Sequence, residues 1–103
     1  MDYTYSDGRL YLRRNADEKK PLLQRLKRIE GQVRGLQAMI DEDRYCLDEI
    51  QQMNAISAAV REAALQIIAE HLEASADYAS RGEDREGAVA EMIRVLRAAM
   101  RQG

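Results

Sequence analysis

Tryptophan and phenylalanine are absent from the 103 residues, and proline, cysteine and histidine each occur once. A single cysteine excludes an internal disulfide and fits a reducing cytosol. No apolar run reaches the ~18 residues of a membrane span, and the N-terminus lacks the apolar core of a signal peptide. The expectation is a cytoplasmic protein without a membrane partner. A lone histidine and a lone cysteine, with no phosphate-cradling glycine loop, leave no assembled acid–base pair, so an enzyme is not expected. What is abundant is Ala, Leu, Ile, Met, Glu, Arg and Gln, all but isoleucine among the strongest helix formers. A chain this short is one domain with a modest core, and an elongated helical one buries still less, which raises the expectation of self-association.

The net charge of −2 argues against nucleic acid, but its distribution argues for it. Between Arg9 and Arg34 stand nine Lys or Arg against three Asp or Glu, a net of +6. The rest carries seven against fifteen, or −8. Such asymmetry fits a basic face on an acidic body, although a solvated helix surface would look the same.

Residues 1–16 have no helical period and contain a Ser-Asp-Gly turn signal, so they read as a flexible arm with a short strand at Arg9–Leu12 as a weaker alternative. Residues 17–103 read as one helical domain. A first helix starts near Asp17, with Pro21 tolerated in its first turn. Its apolar face is Leu22, Leu23, Leu26, Ile29, Val33, Leu36, Met39 and Ile40. Gly31 and Gly35, four residues apart, suggest close backbone packing. A long second helix runs from about Tyr45 to Tyr78. Along it Cys46, Ile50, Met53, Ser57, Val60, Ala64, Ile67, His71 and Ala74 recur at a coiled-coil-like spacing. Arg81-Gly82 ends it. Asp84 can cap a third helix reaching about Met100, with Ala88, Val89, Met92, Ile93, Leu96 and Ala99 inward. The fold class is all-α, and a seam that long needs a dimer or tetramer to cover it.

Cys46 and His71 share that seam, 25 residues and close to seven turns apart. At 1.5 Å per residue they stand about 37 Å apart along the axis, so they cannot meet within one straight helix. In two copies packed antiparallel about Ala58–Ala59, the Cys46 end of one meets the His71 end of the other. Ser75, four residues after His71, faces the same way. Thiolate and imidazole suit Cu(I), Zn or Ni, whereas a serine hydroxyl is a poor ligand for all three. A cysteine on an apolar seam also serves as a small hydrophobe, and a histidine there as a satisfied core residue.

The run Arg25-Leu-Lys-Arg-Ile-Glu-Gly-Gln-Val-Arg-Gly-Leu36, then Arg44-Tyr-Cys-Leu-Asp48 with Ile50-Gln-Gln52, then Glu70-His71-Leu72, resembles the CsoR/RcnR/FrmR family of metal- or formaldehyde-sensing repressors. The resemblance covers about residues 18–100. It implies a three-helix subunit with a long central helix, in an antiparallel dimer that pairs into a tetramer. It also implies an operator-DNA partner, released when an inducer binds between subunits. Arg25 falls on a DNA-contact position, and Lys19, Lys20, Lys27 and Arg28 extend the same surface. The family's N-terminal arm adds to that positive face.

Copper sensors of the family use a Cys, a His and a second Cys four residues on. Here Cys46 and His71 match, while Ser75 stands in the third place. Tyr45 and Glu91 fall where copper sensors place groups that support the ligands. The resemblance therefore implies a copper-type repressor with Cu(I) at Cys46, His71 and the Ser75 position. The readings beside it are another transition metal, no metal, a thiol-reactive electrophile such as formaldehyde sensed by Cys46, and an oligomeric helical protein with a degenerate site.

Overall fold

The computed structural model describes residues 1–101. Its elements are a hairpin of β1 (Asp2–Ser6) and β2 (Arg9–Arg13), followed by α1 (Ala16–Asp41), α2 (Cys46–Ser80) and α3 (Arg85–Met100). Three helices with a long central one are as the sequence indicates. The hairpin corrects the all-α expectation: the segment read as an arm forms two antiparallel strands, with Ser6 paired to Arg9 and Asp2 to Arg13. The reason is local. Asp7 and Gly8 both have positive φ, 57° and 75°, the backbone of the two-residue turn that matches strand twist. Side-chain alternation then turns Leu10 and Leu12 inward, with Tyr3 and Tyr5 opposite them.

The hairpin docks on α2 and α3. The Tyr5 and Tyr78 rings stack at 4.4 Å, and Tyr3 meets Tyr78 edge-on at 6.2 Å. The Tyr3 hydroxyl donates to Asp77 Oδ2 at 2.5 Å, and Tyr5 donates to Asp84 at 3.2 Å. Asp84 is also the N-cap of α3, accepting from the Gly87 amide. A Cβ at Gly87 would collide with the Asp84 carboxylate and the Tyr5 hydroxyl, so glycine is what lets the hairpin seat there. At the other end of the hairpin, Asn15 and Glu18 form a reciprocal cap that starts α1.

The helices pack α1 on α2 and α2 on α3. The molecule measures 58 × 30 × 18 Å, far from spherical. Its buried residues are Leu10, Leu22, Ala63, Ser75, Ala88 and Glu91. Three sequence expectations shift at this level. Of the third helix's apolar residues, Ala88 is buried and Met92 and Ala99 are half-buried, but Val89, Ile93 and Leu96 are exposed. The inward stripe includes Glu91 and Val95 instead. The first helix likewise divides: Leu22 is buried and Ile29, Leu36 and Met39 are half-buried, while Leu23, Leu26, Val33 and Ile40 face outward. Gly31 meets nothing, and Gly35 is in ordinary contact with the Gln52 side chain, so neither glycine serves a close helix crossing within the chain. Gln52 instead donates to the Gln32 carbonyl at 3.0 Å, tying α2 to α1.

Candidate sensing site

Cys46 is the first residue of α2 and is exposed, with Tyr45 as the exposed N-cap before it. His71, Ser75 and Glu91 gather at the other end of the molecule. Seven turns of unbroken helix separate the two groups, so the fold brings together three of the five expected site residues and leaves Cys46 and Tyr45 apart. The seam between them is open: Ile50, Met53, Val60 and Ile67 are all exposed, each by more than 40%. Intrachain packing uses a different stripe of α2, with Ala63 buried and Ile56 and Ala59 half-buried.

Among the described residues, His71 Nε2 is buried without a hydrogen-bond partner and lies 3.8 Å from Glu91 Oε2. Ser75 is 1% exposed, and its Oγ likewise has no partner among the described residues. Two orphaned polar atoms one helical turn apart are costly unless something binds them, because unmet buried groups forfeit their hydration. Glu91, 6% exposed, is by contrast well supplied. Oε2 accepts from the Leu10 backbone amide at 2.7 Å, and Oε1 accepts from Arg94 Nε at 3.1 Å. Burial works to raise the Glu91 carboxyl, but the Leu10 amide, then Arg94 and His71, outweigh it and hold the group below its ordinary value. Glu91 is therefore an anion facing His71.

Beside His71, Glu70 accepts from Arg14 Nε at 2.6 Å. Arg94 Nη2 also donates to the Gly8 carbonyl at 2.8 Å. The contributions of Leu10, Arg14 and Arg94 escape motif reading, because a backbone amide and paired arginines carry no spacing signature. The one available signal is an acidic residue, Glu91, in the middle of the α3 inward stripe.

The basic residues separate by exposure. Lys19, Lys20, Lys27 and Arg28 are exposed on α1, whereas Arg25 is half-buried on the stripe shared with Leu22 and Ile29. Among the described residues of one chain, no three His, Cys, Asp or Glu side chains form a metal cluster. Among the described residues, no helix is long and apolar enough to cross a membrane.

Residues 18–98 match the family model described as metal-sensitive transcriptional repressor. The chain is 39% identical over 84 residues to the copper-sensing transcriptional repressor CsoR of Bacillus subtilis, covering 82% of this chain and 83% of that one. It is 47% identical over 55 residues to the copper-sensing transcriptional repressor RicR of Mycobacterium tuberculosis, covering 53% and 57%. Its fold is similar to the crystal structure of the copper-sensing repressor CsoR with Cu(I) from Geobacillus thermodenitrificans, with a TM-score of 0.76 and 37% identity over 84% of this chain and 91% of that one. The nickel-responsive transcriptional regulator InrS gives a TM-score of 0.77 at 28% identity, over 84% and 97%.

Proposed function

This chain belongs to the metal-sensitive transcriptional repressors, and from that premise we propose that it is a copper-type member whose inducer site is shared between two copies. The observation that carries the reading is the exposed apolar seam of α2, with Cys46 at one end and His71 at the other. A second copy laid antiparallel on that seam covers Ile50, Met53, Val60 and Ile67 and brings the Cys46 thiol of one copy to the His71 imidazole of the other, twice. The same pairing lets a chain of few buried residues complete its core, and two such dimers, joined through the outward stripes of α1 and α3, would make the tetramer.

The donor chemistry fits Cu(I). A thiolate and an imidazole are a soft and a borderline ligand, enough for a low-coordinate monovalent ion. Ser75 adds a hydroxyl, which contributes little as a ligand, so the affinity should fall short of a site with two thiolates. Since Nε2 faces Glu91, the nitrogen left for the inducer is Nδ1. When bound there, the ion links the end of α2 in one copy to the start of α2 in the other, favouring an assembly with poorer fit to operator DNA. In the repressing state Lys19, Lys20, Lys27 and Arg28, with Arg25, would meet DNA phosphates, and affinity would fall steeply with salt through counterion release.

The test is operator-DNA binding with and without Cu(I), with affinity for the ion read by competition with a coloured chelator. Tight Cu(I) binding that releases DNA, with both effects lost in Cys46→Ala, is the expected result. Copper binding that ignores Cys46 would overturn the site. A second reading is favoured by the exposure of Cys46: a thiol at a helix start, open to solvent, is where an electrophile would react. Release of DNA by formaldehyde but not by Cu(I), again lost in Cys46→Ala, would select it.

A further inference from the structure

The hairpin lies outside the segment that matches the family, residues 18–98, yet it holds the carboxylate that faces His71. In a two-residue hairpin the residues flanking the turn, Ser6 and Arg9, face each other across a hydrogen-bonded pair, and the next pair, Tyr5 and Leu10, is not hydrogen-bonded. The Leu10 amide therefore points away from β1, off the open edge of the sheet. It is buried and satisfied by Glu91 Oε2 at 2.7 Å, the same oxygen that stands 3.8 Å from His71 Nε2. A second link runs in parallel: Arg94 bridges Glu91 Oε1 and the Gly8 carbonyl. Glu91 is thus held by the hairpin on one side while His71, on the other, has a buried nitrogen still without a partner.

We propose that the β-hairpin is a strap that positions Glu91 opposite His71, through the Leu10 amide and Arg94, and that engagement of His71 is transmitted to the hairpin by that carboxylate. The proposal rests on the reading that His71 takes the inducer. With Nδ1 engaged, the imidazole proton resides on Nε2, which becomes a donor aimed at Oε2. Closing a 3.8 Å gap to hydrogen-bond length draws Glu91 toward α2 and weakens its hold on Leu10. The hairpin leads through Arg14, paired with Glu70 next to His71, directly into the Asn15 cap of α1. Movement at Leu10 therefore reaches the helix carrying Lys19 and Lys20 within one short segment. Leu10 and Arg94 are positioning groups here, since neither touches the inducer.

The experiment is NMR on the full-length 15N-labelled chain, comparing native protein with Arg94→Gln and Arg94→Lys. Arg94 is mostly exposed, so its replacement spares the core. Without metal, Arg94→Gln should speed exchange of the Leu10 amide about tenfold, the scale of losing one charge-assisted hydrogen bond. It should also move the His71 imidazole 15N resonances, and Arg94→Lys should restore part of both. In native protein, saturating Cu(I) should speed Leu10 exchange as well, with no effect in Cys46→Ala. Faster Leu10 exchange with unmoved His71 resonances in Arg94→Gln would overturn the coupling, as would unchanged Leu10 exchange in that variant. Cu(I) bound in native protein with Leu10 exchange unaltered would also overturn it. Failure of Cu(I) to bind would instead count against the copper reading alone, because the metal-free comparison decides whether strap and His71 are linked.

Discussion

At the scale of single residues, the site is defined as much by what its atoms lack as by what they contact. His71 Nε2 and Ser75 Oγ are buried without partners among the described residues, while Glu91 beside them accepts from two donors. In the proposed site, position 75 sets the donor chemistry. A thiol there would replace a weak oxygen donor by a second soft ligand one turn from the imidazole. Ser75→Cys should accordingly tighten Cu(I) binding, by on the order of tenfold or more, read by chelator competition on the otherwise native chain. An unchanged affinity would mean that position 75 does not reach the ion. That Cys46 and His71 share one face of α2 was legible in the sequence, because both fall on one seven-residue repeat. The Glu91 pairing with Leu10 was not, since a buried main-chain donor leaves no trace in residue identity.

At the scale of elements, the helices were legible because their apolar periods and, for α3, the Asp84 cap agree, whereas the Asn15–Glu18 cap that starts α1 emerged only from the structure. What periodicity could not resolve was which apolar stripe faces inward. Both α1 and α3 carry more than one, and only tertiary packing assigns Val89, Ile93, Leu23 and Leu26 to the outside. The hairpin was obscured because five-residue strands give short patterns, although Asp7-Gly8 between alternating apolar positions is its signal. Its docking should be pH-dependent. The Tyr3 hydrogen bond, then the Arg81 charge, holds the Asp77 carboxyl below its ordinary value against the opposing effect of burial. Its contribution is complete above the unfolded value of 3.8 and is lost as pH falls through the lower folded value. The Tyr3 hydroxyl is raised, chiefly by that same bond to Asp77, so its contribution is complete below 10.0 and is lost as pH rises through the higher folded value. Near-ultraviolet circular dichroism of the tyrosines should stay level between those limits and change beyond each, and Tyr3→Phe should remove the alkaline change at this residue and blunt the acid one. An acid change of full size in Tyr3→Phe would show that the pair does not govern docking.

At the scale of the whole molecule, one chain is an elongated body with few buried residues and several outward apolar stripes. Between Arg9 and Arg34 basic residues outnumber acidic ones nine to three, while acidic ones dominate the remainder. Both features fit the proposed pairing, in which a subunit completes its core and its site with a second copy. A chain of this composition can be weakly acidic overall and still present a positive surface to DNA, since the sign that matters is local.

The central claim, that the inducer site is built from Cys46 of one copy and His71 of another, is tested most directly by mixing subunits. Cys46→Ala and His71→Ala chains each lack one ligand at every site and should each lose tight Cu(I) binding. Unfolded together and refolded in equal amounts, they should regain it. Random pairing makes about half the dimers mixed, and each mixed dimer has one intact site of two, so recovery should approach a quarter of native capacity. Recovery near that level is the predicted result. A mixture that binds no more Cu(I) than the two variants apart, with dimers demonstrably exchanged, would contradict it.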